Sequence, residues 1–118
     1  MPINTFSMCE AQLIALSGTF YTPSINLNDF IQNGYFSAYL GVTGNGTCKV
    51  EYQLSFDNIN WVTGSSAVFT GYTKTSGLGS NGKEIASFTP AASDYMRFKI
   101  TEIGAANSIT ITLKLAAN

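Results

Sequence analysis

The chain has 118 residues, with six Lys+Arg, seven Asp+Glu, no His and a formal charge of −1; 45% of residues are hydrophobic and only 11% are charged. So few scattered cations exclude nucleic-acid binding by phosphate neutralisation, and the absence of His removes every His-based triad, Cys–His dyad and His-containing metal site. The length and apolar content exclude disorder and predict one domain able to bury its own core.

In chain order, residues 1–10 lack alternation and are expected as an extended N-terminal arm, leaving residues 11–118 as a single β-sandwich domain. The opening MPINTF carries no basic or continuous apolar region, which argues against a cleaved signal peptide. No run approaches the roughly 20 apolar residues of a membrane span, so no membrane partner is expected. Weak strands are predicted near residues 13–16, 18–21 and 24–27.

The strong signal then begins. Phe36, Ala38, Leu40 and Val42 alternate with Tyr35, Ser37, Tyr39 and Gly41. After a Thr43-Gly44-Asn45-Gly46 turn, Cys48, Val50, Tyr52, Leu54 and Phe56 alternate with Thr47, Lys49, Glu51, Gln53 and Ser55. Period-two alternation is a strand with one wet face, and Gly and Asn accept the positive φ of a hairpin. Phe36, Tyr52, Phe56 and Phe98 are therefore expected in the core. Asp57-Asn58-Ile59-Asn60 reads as an Asx-type turn; its oxygens also raise the thinner possibility of calcium. Weak strands follow near residues 67–72 and 84–88.

Between them, residues 71–82 (GYTKTSGLGSNG) form a Gly/Ser-rich loop with little ability to pack on itself, either mobile or ordered against a neighbour. Its G-x-G-x-x-G match opens no helix and implies no dinucleotide. Met96, Phe98 and Ile100 alternate with Tyr95, Arg97, Lys99 and Thr101; Gly104-Ala105-Ala106-Asn107 turns the chain; and Ile109, Ile111, Leu113 and Leu115 alternate with Ser108, Thr110, Thr112 and Lys114. Eight to ten short strands with regular turns and one wet face per sheet predict an all-β, two-sheet antiparallel β-sandwich.

The chemistry on this frame is thin, and no enzyme or cofactor is expected. Glu51 is expected to face Arg97 or Lys99 across strands as ordinary sheet stabilisation, not as half of a catalytic carboxylate pair. Serine has no base and no G-x-S-x-G. Cys9 and Cys48 lack a C-x-x-C spacing and are expected as free thiols. The remaining candidates are contacts with a protein partner or a glycan: Tyr35, Tyr39, Trp61, Tyr72, Lys74 and Leu78.

Three stretches carry a resemblance: NGYFSAYLGVTGNGTCKVEYQLSFDNINWV, TKTSGLGSNGKEIASFTP and SDYMRFKITEIGAANSITITLKLAAN. Within them, Ser55-Phe56-Asp57-Asn58-Ile59-Asn60-Trp61 matches an S-x-D-G/N-x-N-W/F turn, and the strand from Tyr95 to Glu102 a Y-M/I-R-x-K-x-T-E pattern. The chain resembles small β-sandwich, virion-associated proteins of tailed bacteriophages and prophages; a similar strand occurs in jelly-roll, discoidin-like sugar-binding modules. The first 30 residues match less well. The resemblance implies a jelly-roll-like sandwich and a virion structural protein made in a bacterial cytoplasm. A capsid decoration or cement protein is expected first, binding the major capsid protein or other virion proteins as a homo-oligomer, with a trimer favoured. A tail or baseplate component and a carbohydrate-binding module are the alternatives.

Overall fold

A computed structural model of the chain describes residues 4–29 and 36–117. Among these residues the order is β1 (Asn4–Ile14), β2 (Thr19–Tyr21), β3 (Ile25–Asn26), a 3-10 turn (Leu27–Asp29), β4 (Phe36–Gly44), β5 (Cys48–Ser55), β6 (Val62–Thr63), β7 (Phe69–Tyr72), β8 (Lys83–Phe88), β9 (Tyr95–Glu102) and β10 (Ile109–Ala117). Two antiparallel sheets pack face to face. One runs β1-β10-β4-β8; the other runs β2-β9-β5-β6, with β3 extending the β2 edge along β9 and β7 extending the β6 edge along β5. Taking β2/β3 and β6/β7 as single edge positions gives strand orders 1-8-3-6 and 2-7-4-5. That is jelly-roll topology, in which two Greek keys close an eight-stranded sandwich.

The alternating residues close the sandwich as their period requires. Ile109, Ile111, Leu113 and Leu115 of β10 and Phe36, Ala38, Leu40 and Val42 of β4 meet Cys48, Val50 and Tyr52 of β5 and Met96, Phe98 and Ile100 of β9 in a closed core. Phe88 organises one end of it, with ring centroids 5.7 Å from Phe36, 5.4 Å from Tyr52 and 5.9 Å from Phe98.

Three expectations are revised. Residues 4–10 are extended, but they lie along β10 as the first part of β1, with Asn4 opposite Ala117 and Phe6 opposite Leu115. Met8 is buried on the core and Phe6 packs against it, so hydrophobic burial holds the segment to the sheet. Phe56 is 77% exposed, because β5 ends at Ser55 and the Asp57 turn swings the next side chain off the inner face. The 73–82 loop is built by its own bonds. Ser76 N–H donates to Thr73 O, Ser80 N–H to Gly77 O and Gly82 N–H to Ser76 O, and Val42 N–H of β4 reaches Gly82 O at 2.8 Å. Gly77 (φ +93°) and Gly82 (φ +76°) take conformations that side chains resist.

The outer edges are blunted against pairing with other chains. β1 carries register shifts on either side of Cys9. On β8, the Lys83 amide donates to Asn81 Oδ1 and the Ile85 amide to Glu84 Oε1.

Both cysteines are free, Cys48 buried and Cys9 partly so. Burial, then the nearby Cys9 and Glu102, pushes the Cys48 thiol up to about 12; burial also raises Cys9. The thiolate is the reactive species. Iodoacetamide at mildly alkaline pH should therefore modify Cys9 slowly and leave Cys48 untouched until denaturant is added, as read by mass spectrometry. Rapid labelling of Cys48 in the native protein would contradict its placement in the core.

Candidate functional site

The six contact candidates do not form one surface. Tyr35 lies outside the described residues. Tyr39 is on the outer face of the β1-β10-β4-β8 sheet, with its hydroxyl end close over Gly41. Tyr72 is partly buried, edge-on to Phe69 at 5.1 Å, so it is core packing and not a platform. Trp61 lies on the outer face of the other sheet. Lys74 and Leu78 sit in the 73–82 loop. These side chains point to different sides of the sandwich, and no shared glycan platform is formed by the described ones.

What the fold does assemble is an end. The strand register places the β1–β2, β4–β5, β7–β8 and β9–β10 connections together, and one carboxylate ties three of them. Glu102 occupies the inward position that continues Met96, Phe98 and Ile100, and it is 1% exposed. Its Oε1 accepts from the amides of Ser17 (3.0 Å) and Ala105 (2.9 Å); its Oε2 accepts from Thr47 (2.8 Å) and Gly104 (2.7 Å). Led by the Ser17 and Thr47 amides, these donors outweigh desolvation and hold the carboxyl at about 2, below its ordinary 4.5. The fourth loop is attached by Lys74 Nζ, which donates to Asn45 Oδ1 of the β4–β5 turn at 2.7 Å. On this fixed backbone stand Leu16, Ile103 and Leu78, all exposed, Leu78 at 95%.

The opposite end is open. A cleft of about 850 Å³ lies between the inner surface of β5–β6 and the 89–93 segment, with Tyr52, Leu54, Phe56, Val62 and Pro90 among its lining residues. Its rim holds the predicted Asx turn. Asp57 Oδ1 accepts from the amides of Ile59 (2.9 Å) and Asn60 (2.8 Å) and from Ser55 Oγ (2.9 Å), and Asn58 adopts φ +60°. The Asn60 and Ile59 amides, then the Asn60 side chain and Ser55, hold the Asp57 carboxyl well below the usual carboxylate range. The turn thus uses the oxygens that a cation would need. Among the described residues no group of three or more His, Cys, Asp or Glu gathers as a metal site.

On the outer face of the β2-β9-β5-β6 sheet, Glu51 stands opposite Lys99, yet its ion pair is with Lys49, at 3.8 Å. Arg97 stands opposite Gln53 instead. Its Nε donates to Gln53 Oε1 at 2.8 Å, and Gln53 Nε2 donates to Thr63 Oγ1 at 3.2 Å. The Arg97 guanidinium carbon lies 4.5 Å from the Tyr21 ring centroid and 4.3 Å from that of Trp61. Two rings thus bracket one cation.

Glu102 is visible in the sequence as one of the carboxylates that could be weighed for catalysis, but its buried, loop-tying role was not read from it, nor was the Arg97 bracket. The first had a signal: strict alternation along β9 carries a carboxylate onto the inward face. The second had none, because Tyr21, Gln53, Trp61 and Arg97 come from four separated segments.

No protein-family model matches the chain, and no curated protein sequence matches it significantly. Solved structures match its fold. The VP2 subviral particle of infectious bursal disease virus matches with a TM-score of 0.57 at 12% identity, over 98% of this chain and 31% of that chain. The Gx strain of the same virus gives 0.54 at 13% identity, with the same coverage. The SPBc2 prophage-derived protein YomS gives 0.47 at 12% identity, over 98% of this chain and 94% of its own. This chain therefore spans less than a third of the viral chains it matches. The likeness is one of fold, shared with the VP2 protein of a viral particle.

Proposed function

We propose that the chain is a non-enzymatic structural protein of a virus particle, and specifically a decoration or cement protein on the outside of a bacteriophage head, assembled as a homo-oligomer with a trimer favoured. The observation that carries this reading is the four-loop end. Glu102 and Lys74 fix its backbone in advance, and Leu78 stands almost wholly in solvent on it. Leu78 contributes little to the folded core. Burying such a side chain in a partner stabilises the contact by about 1.5–3 kcal/mol, and a prearranged loop loses little entropy on docking. The low-charge Thr/Ser/Asn surface fits contacts that leave no buried unpaired charge. The fold shared with the VP2 protein of a viral particle supports the reading.

The test uses particles produced by the genome that encodes the chain. Gradient-purified heads should carry this protein in fixed ratio to the major capsid protein. The Leu78→Asp variant should keep its melting temperature and lose at least about tenfold in occupancy, the scale expected for one anchor residue. Absence from particles would overturn the virion reading. Presence on tails but not heads would overturn the decoration role.

A further inference from the structure

We propose that the Arg97 bracket is a carboxylate-binding site that takes an acidic side chain of a partner protein. This reading is independent of where in a particle the chain sits. Arg97 is held on three sides: by Tyr21 and Trp61 at the ring distances above and by Gln53 at Nε. Gln53 is itself buried and fixed by Thr63. What remains open is the terminal edge of the guanidinium, the two Nη groups whose parallel N–H bonds match a carboxylate bidentately. Among the described residues no hydrogen-bond acceptor or carboxylate occupies that edge; the ion pair on this face is Lys49–Glu51.

Charge on the face points the same way. The outward positions of β5 and β9 bring Lys49, Arg97 and Lys99 against Glu51 alone, and Glu51 is spent on Lys49. Two cations are left over in a chain whose total charge is −1. That local excess suits one or two carboxylates and is too small for a polyphosphate backbone. Trp, Tyr and Arg are also the residue types that dominate protein–protein binding energy when packed together. The two rings beside the guanidinium displace part of its water, and a charged hydrogen bond at its edge is stronger where less water competes.

Trp61 is the only tryptophan of the chain, so its fluorescence and indole N–H resonance report the site directly. The probes are a hexaglutamate peptide, the matching hexaglutamine peptide and trigalacturonate, the last carrying the same carboxylates on a sugar. Hexaglutamate at up to millimolar concentration should shift the Trp61 indole and Arg97 Nε–H signals saturably, and hexaglutamine should not. Added salt should weaken the binding, since an exposed ion pair is screened. Arg97→Lys keeps the charge but loses the fork and should weaken binding about tenfold or more. Lys114→Gln, on the opposite sheet, should leave it unchanged. Equal binding by Arg97→Lys would overturn the fork, and a response to trigalacturonate alone would overturn the protein partner. No saturable shift at Arg97 with any probe overturns the site, and this wild-type result holds even if the variant fails to fold.

Discussion

Glu102→Ala is expected to lower the unfolding free energy by about 2–4 kcal/mol, a large share of the roughly 5–15 kcal/mol that a domain has. The carboxylate is 1% exposed and accepts four backbone N–H bonds from three loops. Its removal takes the acceptor from four amides at once, of which those of Ser17, Gly104 and Ala105 belong to exposed residues and can turn to water. Gln at the same position keeps one acceptor oxygen but turns an NH2 group toward two N–H donors, so an intermediate loss is expected. Urea denaturation of both variants measures this; an unchanged midpoint for Glu102→Ala would mean that the loops do not depend on the carboxylate.

Acid should act in the same sense. The folded carboxyl titrates at about 2, below the ordinary 4.5, so between those values the unfolded chain binds more protons than the folded one. The contribution is whole above the upper value and is lost as pH falls through the lower. Asp57 is displaced in the same direction, so Asp57→Asn serves as the background. The remaining fall in stability below about pH 4.5 should flatten in Glu102→Gln.

Alanine at Gly77 should open the 73–82 loop and destabilise the fold by about 1–3 kcal/mol, from steric overlap and backbone strain together. Gly77 has φ +93°, and a Cβ there would overlap the Lys83 carbonyl oxygen, a backbone atom that cannot swing aside. Two glycines nearby separate the causes. Gly71 also has positive φ (+67°), but nothing lies within 4 Å of its added Cβ, so strain alone acts. Gly79 has no positive φ and would meet only the Asn81 side-chain amide, at 3.3 Å or more, which needs to give by no more than a few tenths of an ångström, so it should tolerate alanine. The expected order of damage is Gly77, then Gly71, then Gly79, read from thermal melts and from hydrogen exchange at the Ser80 and Gly82 amides. Equal effects at Gly77 and Gly79 would show that the loop is not held by this approach. On the proposed decoration role, Gly77→Ala should also weaken attachment to particles, because it unseats Leu78 without touching the side chain.

Much of the fold was legible because a half-buried strand must alternate. Val50, Tyr52, Phe98, Ile100, Leu113 and Leu115 could be placed in the core from period two alone, and the Gly44–Gly46 and Gly104–Asn107 turns from the residues that accept hairpin geometry. The same rule failed at Phe56, where the Asp57 turn ends the strand one residue earlier than the alternation does. It also failed for residues 4–10, whose pattern is broken by the register shifts that let an edge strand bulge. The 73–82 loop looked unable to pack on itself because its order comes from backbone bonds and glycine conformations, and neither leaves an apolar trace.

The candidate surfaces divide in the same way. Leu78 and Trp61 could be singled out in the sequence as residue types suited to contact. Tyr72 could not be told from a platform until Phe69 was found against it. The alternating strands determined that this chain is an all-β sandwich, and the absence of His determined that it holds no His-based site. Pairing between distant segments decided the rest: that Glu102 would tie Ser17, Thr47 and Ala105 into one rigid end, and that Arg97 would meet Tyr21, Gln53 and Trp61 rather than Glu51. Local pattern reports which face a side chain takes. Which neighbours it finds on that face is set by strand order and register, and those are fixed only when the two sheets close on a common core.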